Sequence, residues 1–330
     1  MAKYKVVITD YEFATLAPEE KVLAQADVEF VKAQCKTEEE VIEACRDADG
    51  IINQYAPISR AVIEKLENCK VISRYGVGVN TIDIDAATER GIIVANVTDY
   101  CMDEVSDHAL ALIMACSRKV TLLNNAVKSG NWDYKAGVPI FRLRGRTLGL
   151  VGFGKIPQTL AVKAQALGLK VIAHDPYVNK ETARELNTEI VELDELCERS
   201  DFISVHAPLV ESTRGMMSTR QFSLMKKEAF IVNTARGPVI DEKALIGALQ
   251  EGEIAGAGLD VVEEEPISSD SPLLEMDQVI LNPHVAWYSE ESQLELKTKT
   301  AQNVTDVLKG SYPAYLFNVE VKKNESVFVK

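Results

Sequence analysis

Two doubly wound α/β units in a single chain are the fold that this sequence predicts, and three observations carry the prediction. Short apolar runs alternate with helical segments through the first hundred residues. A long helical stretch then interrupts them, and a second alternation of six apolar runs follows. Runs this short and this continuous in Val, Ile and Leu read as strands buried on both faces, and strands separated by helices pair in parallel. At 330 residues the chain is long enough for two domains, each with its own core.

YKVVITD, VEFVK, GIINQY, KVISRY and GIIVANV are the strands of the first set. Between them, ISRAVIEKLENC spaces its apolar residues as a helix does, and TIDIDAATERG is a helix closed by a glycine after its last turn. From about Asp103, EVSDHALALIMACSRKVTLLNNAVKSG predicts one long helix that bridges to the second unit. TLGLVG, KVIAHD, FISVHA, AFIVNTA, IAGAGLDV and QVILNPH are then six strands, the number in a full dinucleotide-binding sheet. Beyond Ser289, EESQLELKTKTAQNVTDVLKG turns helical with no strand of its own, so it is expected to return to the first unit.

A net charge of -14 argues against nucleic-acid binding through a broad basic surface. It leaves small anionic substrates open, because local arginines act at short range while distant acidic groups are screened. Six cysteines are scattered without a C-x-x-C pair and are expected to be small buried hydrophobes, with no metal site. With no signal peptide at MAKYKVVITDYE, the expected compartment is a reducing cytoplasm. No apolar stretch approaches the length of a membrane span.

The segment GLVGFGKIPQ, from Gly149, is a dinucleotide-binding turn with one departure. It sits between a predicted strand and the predicted helix QTLAVKAQALG, which places Leu160, Ala164 and Leu167 on one face. Gly152 permits the tight turn, and Gly154 permits close approach of backbone to a pyrophosphate, favoured by the N–H groups of Lys155 and Ile156 at the helix start. Pro157 stands where a third glycine would pack helix against strand. Proline suits a first helical turn, so the substitution touches packing rather than phosphate contact, and the site reads as working. About twenty residues on, Asp175 ends KVIAHD, where a carboxylate accepts both ribose hydroxyls and repels a 2′-phosphate. Pro176 and Tyr177 supply no arginine to relieve that repulsion, so NAD is favoured over NADP.

Three further segments place a chemically able residue just after a strand of the second unit: NTARG with Arg236, DVVEEEP with Glu265 and NPHVAW with His284. Strand C-terminal ends are where open α/β sheets bind ligands. Alone, each has a bland reading: a solvated arginine, an exposed acidic loop, a structural histidine. Together they fit reduction of a 2-oxo acid, which needs a cation for the carboxylate, a proton donor for the carbonyl oxygen and a hydride. Arg236 suits the first task with its planar fork, and His284 the second. Glu265 would bond the other ring nitrogen, fixing the tautomer and favouring the protonated ring. Formate oxidation needs no such dyad.

At these residues the chain resembles the D-isomer-specific 2-hydroxyacid dehydrogenases, nearly along its whole length. Arg236 in NTARG, Glu265 in D-V-x-x-x-E-P and His284 in N-P-H match the family's Arg, Glu and His, and the glycine turn with Asp175 fits apart from Pro157. The resemblance implies a Rossmann NAD-binding domain, residues 101–289, inserted into a flavodoxin-like substrate domain of residues 1–100 and 290–330, and a homodimer built largely on the cofactor domain. RYGVGVNTID, SGNWDYK and PHVAWYSE look most similar to the C-terminal-binding-protein branch. By that likeness Arg74, Val77 and Gly78 would meet the substrate carboxylate side, Trp287 would wall the pocket, and Gln54 and Tyr55 would line it. On the cofactor side it implies Gly152, Gly154, Lys155, Ile156, Asp175, His206, Ala207, Pro208, Ser212, Thr234, Ala235, Arg236 and His284, with Asp260 holding the nicotinamide amide. His108 and His174 match no catalytic position and are expected to be structural.

Two other readings stay open on the sequence. The corepressor branch keeps this architecture as an NAD(H)-sensing binding module, against which stand the three retained catalytic residue types, the absence of a basic run and an end about a dozen residues past Asn318. Phosphoglycerate dehydrogenase is the rival within the enzyme class. No phosphate-binding cluster is evident beyond Arg74, no appended regulatory domain is seen, and Trp287 suits an apolar or aromatic substrate side chain.

Overall fold

A computed structural model gives the structure of residues 2–323; Met1 and residues 324–330, the end of the expected first domain, lie outside the described residues. The chain forms two compact units. One gathers both chain ends, up to Cys101 and from Ser289, and the other is Met102–Tyr288.

In chain order the first unit contributes β1 (Tyr4–Ile8), α1 (Ala17–Leu23), β2 (Val28–Lys32), α2 (Glu38–Cys45), β3 (Gly50–Asn53), α3 (Arg60–Ile63), β4 (Val71–Arg74), α4 (Ile84–Glu89) and β5 (Ile93–Ala95). Its sheet is wholly parallel in the order β2-β1-β3-β4-β5, a flavodoxin-like arrangement. All four residues of β3 are buried, which is why GIIN shows no alternation. Val41, Cys45, Val62, Ile63, Ala86 and Ala87 of α2, α3 and α4 form a core with β1, β3, β4 and β5 on one face. α3 is a single turn where the sequence predicts a longer helix: Lys65 and Leu66 donate three residues back, to Val62 and Ile63, and the tightened turn drops Leu66 into that core.

The second unit runs α5 (Met102–Arg118), α6 (Val120–Lys128), β6 (Thr147–Val151), α7 (Lys155–Ala166), β7 (Lys170–His174), α8 (Lys180–Glu185), β8 (Glu189–Ile190), α9 (Leu193–Arg199), β9 (Phe202–Val205), α10 (Thr219–Leu224), β10 (Phe230–Asn233), α11 (Glu242–Gln250), β11 (Gly256–Leu259) and β12 (Val279–Leu281). The predicted long helix is two, because Lys119 takes a left-handed backbone (φ 50°) that ends α5. Only α5 has a reason to stay straight, since Val105, Ala109, Leu112, Ile113 and Cys116 pack inward while α6 buries no residue. The sheet is parallel in the order β12-β11-β10-β9-β6-β7-β8, seven strands rather than six. β8 is two residues long, one of them Glu, and leaves no apolar run to read. Strand order reverses between β6 and β9, which makes the crevice beyond their C-terminal ends the switch point of the sheet. On α7 the buried face is Pro157, Leu160, Ala161 and Ala164. Leu167, expected on that face, is exposed because it is the residue that ends the helix.

The closing helix α12 (Glu290–Leu308) returns to the first unit and packs on α1, β3 and β4. Leu296, Thr300, Ala301, Val304, Val307 and Leu308 recur at helical spacing on its buried side, and the Ser289 hydroxyl caps it by accepting the Ser292 N–H at 2.9 Å. Its approach is close enough that a Cβ on Gly50 would lie 2.9 Å from Val304 Cγ1, which explains the glycine opening β3. Among the described residues no helix is long and apolar enough to cross a membrane. All six cysteines are free thiols, and burial pushes those of Cys69, Cys116 and Cys197 up to about 12.

Candidate active site

Because the second sheet is parallel, the loops after β6, β7, β9, β10, β11 and β12 all leave the same edge. Gly152 turns sharply after β6 with φ 92°, and a Cβ there would press on the His206 carbonyl and Ala207 N at 3.0–3.1 Å. Gly154 needs no special backbone (φ -74°) and a Cβ on it would meet nothing within 4 Å, so its missing side chain keeps an open approach to the start of α7. The N–H groups of Lys155 and Ile156 stand in the first turn, where no helical carbonyl precedes them. Pro157, the next residue, removes one such donor while its ring fills the buried face. The Asp175 carboxylate accepts from Phe153 N–H and Tyr177 N–H, both at 2.8 Å, and thereby pins the glycine turn to the end of β7.

Across the switch point, His206 Nε2 lies 2.8 Å from Ser204 Oγ, and burial pulls the imidazole down to about 3, so it is neutral at physiological pH. Ala207 is buried and Pro208 exposed beside it, and Ser212 sits in a single 3₁₀ turn, Glu211–Thr213. After β10, the Thr234 hydroxyl is buried with no hydrogen-bond partner, an orphan that a ligand at this edge would satisfy.

The acid–base pair is formed. His284 Nδ1 and Glu265 Oε2 are 2.7 Å apart, with each side chain near 40 % exposed at 41 % and 37 %. Partial burial raises the Glu265 carboxyl, but the His284 hydrogen bond and charge, the Val262 N–H and the charge of Arg236 outweigh it and hold the group below its ordinary value. Asn233, 1 % exposed, shapes the Arg236 loop by accepting Ala235 N–H and donating to the Arg236 carbonyl, both at 3.0 Å. Arg236 itself donates from Nη1 to the Ala235 carbonyl at 2.6 Å. Gly237 then lies so close to the β11 loop that a Cβ would be 1.7 Å from the Val262 carbonyl oxygen. That contact locks the arginine loop against the loop bearing Glu265.

Asp260 is 1 % exposed, and its part in this turn is structural. Its backbone carbonyl accepts the His284 N–H at 2.8 Å, and its two carboxylate oxygens accept the Val285 and Ala286 N–H groups at 2.9 Å. Those bonds hold His284 at φ 53°, a left-handed backbone uncommon outside glycine. The Trp287 indole N–H donates to the His284 carbonyl at 3.1 Å, so Trp287 braces the same turn. His108 Nε2 approaches Asn282 Oδ1 at 3.1 Å and Asp260 Oδ1 at 3.6 Å, whereas His174 Nδ1 meets the Val191 carbonyl at 3.1 Å. Asn233 and Gly237 stand at the two ends of NTARG and Asn282 opens N-P-H, yet sequence reasoning gave none of them a part, because each acts through a neighbour that only the fold supplies.

In the first unit the remaining expected residues share the C-terminal edge of that sheet. Gln54 and Tyr55 follow β3, and Arg74 closes β4 with Val77 and Gly78 just beyond. Gln54 is buried and accepts the Glu12 N–H at 3.0 Å, while Tyr55 and Val77 are exposed. Asp10, which sequence reasoning passed over, accepts the Gln54 and Tyr55 N–H groups at 3.2 and 2.6 Å and so sets the course of that loop.

Residues 110–286 match the model of the D-isomer specific 2-hydroxyacid dehydrogenase NAD binding domain. The chain is 44% identical over 285 residues to a D-3-phosphoglycerate dehydrogenase of Methanocaldococcus jannaschii, covering 86% of this chain and 54% of that protein. It therefore spans about half the length of that relative. It is 40% identical over 288 residues to a glyoxylate reductase of Korarchaeum cryptofilum, covering 86% of each. Among solved structures, the D-mandelate dehydrogenase of Rhodotorula graminis superposes with a TM-score of 0.86 at 32% identity, over 96% of this chain and 98% of that one. The chain belongs to the D-isomer-specific 2-hydroxyacid dehydrogenase family.

Proposed function

We propose that this chain is an NAD-dependent D-2-hydroxyacid dehydrogenase that interconverts a D-2-hydroxy acid and its 2-oxo acid. The observation that carries the reading is the His284–Glu265 pair at 2.7 Å, on the edge where Arg236 is locked beside it. The residues present fit the cofactor: an open glycine turn, first-turn N–H donors at Lys155 and Ile156, a carboxylate at Asp175 pinned beside that turn and an orphan hydroxyl at Thr234. Ala235, His206, Ala207, Pro208 and Ser212 would border it, and Asp260 would hold the nicotinamide amide. When bound, NAD(H) supplies or takes the hydride.

The protein's own part is charge and alignment. Arg236 binds the substrate carboxylate and polarises the carbonyl, its loop kept in place by the Asn233 and Gly237 contacts. With Nδ1 engaged by Glu265, His284 presents Nε2 to the substrate oxygen, donating a proton in reduction and removing it in oxidation. The ionised Glu265 stabilises the imidazolium formed in oxidation. Arg74, Val77 and Gly78, with Gln54 and Tyr55, are assigned to substrate on the edge of the first unit, and Trp287 to the pocket wall.

We also assign a homodimer, supported by an apolar surface that the described chain leaves uncovered: Val120 and Val127 on α6, then Trp132 (86 %), Tyr134 (76 %), Val138 and Phe141 are all exposed. A cytoplasmic location is part of the same proposal, and the six free thiols agree with it.

The test is NADH oxidation with glyoxylate, hydroxypyruvate, its 3-phosphate, pyruvate and phenylglyoxylate, repeated with NADPH. Reduction of at least one acid, preferring NADH and abolished in Arg236→Ala, is expected. A protein that binds NADH and reduces none of them is a binding module instead. Preference for the phosphorylated acid would select phosphoglycerate chemistry, the activity named for the Methanocaldococcus relative.

A further inference from the structure

His108, on α5, touches the turn that carries His284 yet has no part in the chemistry just described. Its Nε2 faces two acceptors at once, Asn282 Oδ1 at 3.1 Å and Asp260 Oδ1 at 3.6 Å. Reversing the Asn282 amide would offer Nε2 a donor, but the Asp260 carboxylate would then face a ring lone pair. The carboxylate therefore selects the tautomer with hydrogen on Nε2, which is donated to Asn282 Oδ1 while the Asp260 oxygen attracts it from 3.6 Å. Each acceptor belongs to the machinery of the turn. Asn282 donates its N–H to the Leu259 carbonyl at 2.8 Å and stands two residues before His284. Asp260 receives the Val285 and Ala286 N–H groups, immediately after it.

The His284 backbone at φ 53° persists only if its surroundings over-determine it. A buried carboxylate accepting two N–H groups does part of that, and it needs its own position fixed. We propose that His108 is a positioning residue for His284: its Nε2–H ties α5 to both sides of the turn and sets where the acid–base imidazole stands. The role in turnover rests on the dehydrogenase reading above, whereas the hold on the turn does not.

The experiment compares His108→Leu, of similar bulk without a donor, with His108→Gln, whose side-chain amide restores one at similar reach. Two readouts are taken on the full-length protein: steady-state reduction of the preferred 2-oxo acid, and hydrogen–deuterium exchange of the peptide spanning 284–287. In His108→Leu, kcat should fall about 10- to 100-fold, the consequence of displacing a reacting group by about an ångström. NADH affinity should stay unchanged, and exchange at Val285 and Ala286 should quicken. His108→Gln should recover most of both. Wild-type kcat and exchange in His108→Leu would overturn the proposal, as would a His108→Gln variant as impaired as the leucine one. If the wild-type protein reduces no 2-oxo acid, the dehydrogenase reading fails by itself, and the exchange measurement still decides whether His108 holds the turn.

Discussion

Gly237 offers the sharpest test of how the catalytic loops are assembled. An alanine there would bring its Cβ to 1.7 Å from the Val262 oxygen, 2.0 Å from the Val262 carbonyl carbon and 2.6 Å from Glu263 N. All three are backbone atoms, so no side chain can rotate away. Restoring even a 3.0 Å separation from the oxygen requires the two loops to part by about 1.3 Å. Arg236 rides on one loop and Glu265 on the other, so their registration would be lost by that amount. Misplacement on this scale costs about a hundredfold in rate, and local overpacking costs about 1–3 kcal/mol of stability. Gly154→Ala is the counterpart, since its Cβ would meet no protein atom within 4 Å. It should leave the melting temperature alone and weaken NADH binding. Steady-state kinetics, NADH fluorescence titration and thermal melts on both variants give the result. A Gly237→Ala enzyme with wild-type kcat would show that the contact does not set the catalytic geometry.

Glu265→Gln should lower kcat about 10- to 100-fold in both directions, because the carboxylate that orients the imidazole and balances the imidazolium is gone; a wild-type kcat breaks the proposed pair. For His206 the folded value, about 3, lies below the ordinary 6.5, so its contribution to stability is complete above pH 6.5 and is lost as pH falls toward 3, by up to about 1.4 kcal/mol per pH unit. His206→Gln should flatten that acid dependence in urea melts at pH 7 and pH 5, and equal slopes in both proteins would refute it. In the first unit, Lys297 (2 % exposed) faces fully buried Glu19 at 3.7 Å, with the Tyr75 hydroxyl donating to Glu19 at 2.7 Å. Lys297→Met strands that carboxylate and should cost about 3–5 kcal/mol, much of it recovered by adding Glu19→Gln; no loss in the single variant would mean that the pair is not charged.

How much of this could be read from the sequence follows from how far each feature depends on distant neighbours. Strands such as GIIN and FISV were legible because burial on both faces writes itself as an unbroken apolar run. β8 was not, since two residues cannot make a pattern. The break at Lys119 was hidden because apolar spacing continues through it, and only a left-handed backbone divides α5 from α6. In the site, Glu265 and His284 were legible as residue types after strands. Asn233 and Gly237 were not, because the amide works through a loop's curvature and the glycine through a backbone contact some two dozen residues away. Asp260 and Trp287 also brace the histidine turn through bonds to Val285, Ala286 and the His284 carbonyl, a part that spacing alone does not disclose.

The double duty of Asp175 has a consequence for anyone wishing to retarget the coenzyme. The same two oxygens that would discriminate against a phosphorylated ribose also staple the turn at Phe153 to the one at Tyr177. Replacing the side chain by a small neutral one would remove the repulsion and unfasten both turns together, so relaxed selectivity would come with weakened grip on either dinucleotide. Asparagine, which retains one acceptor, is the more promising starting point, with a cation introduced separately at the exposed Tyr177 position.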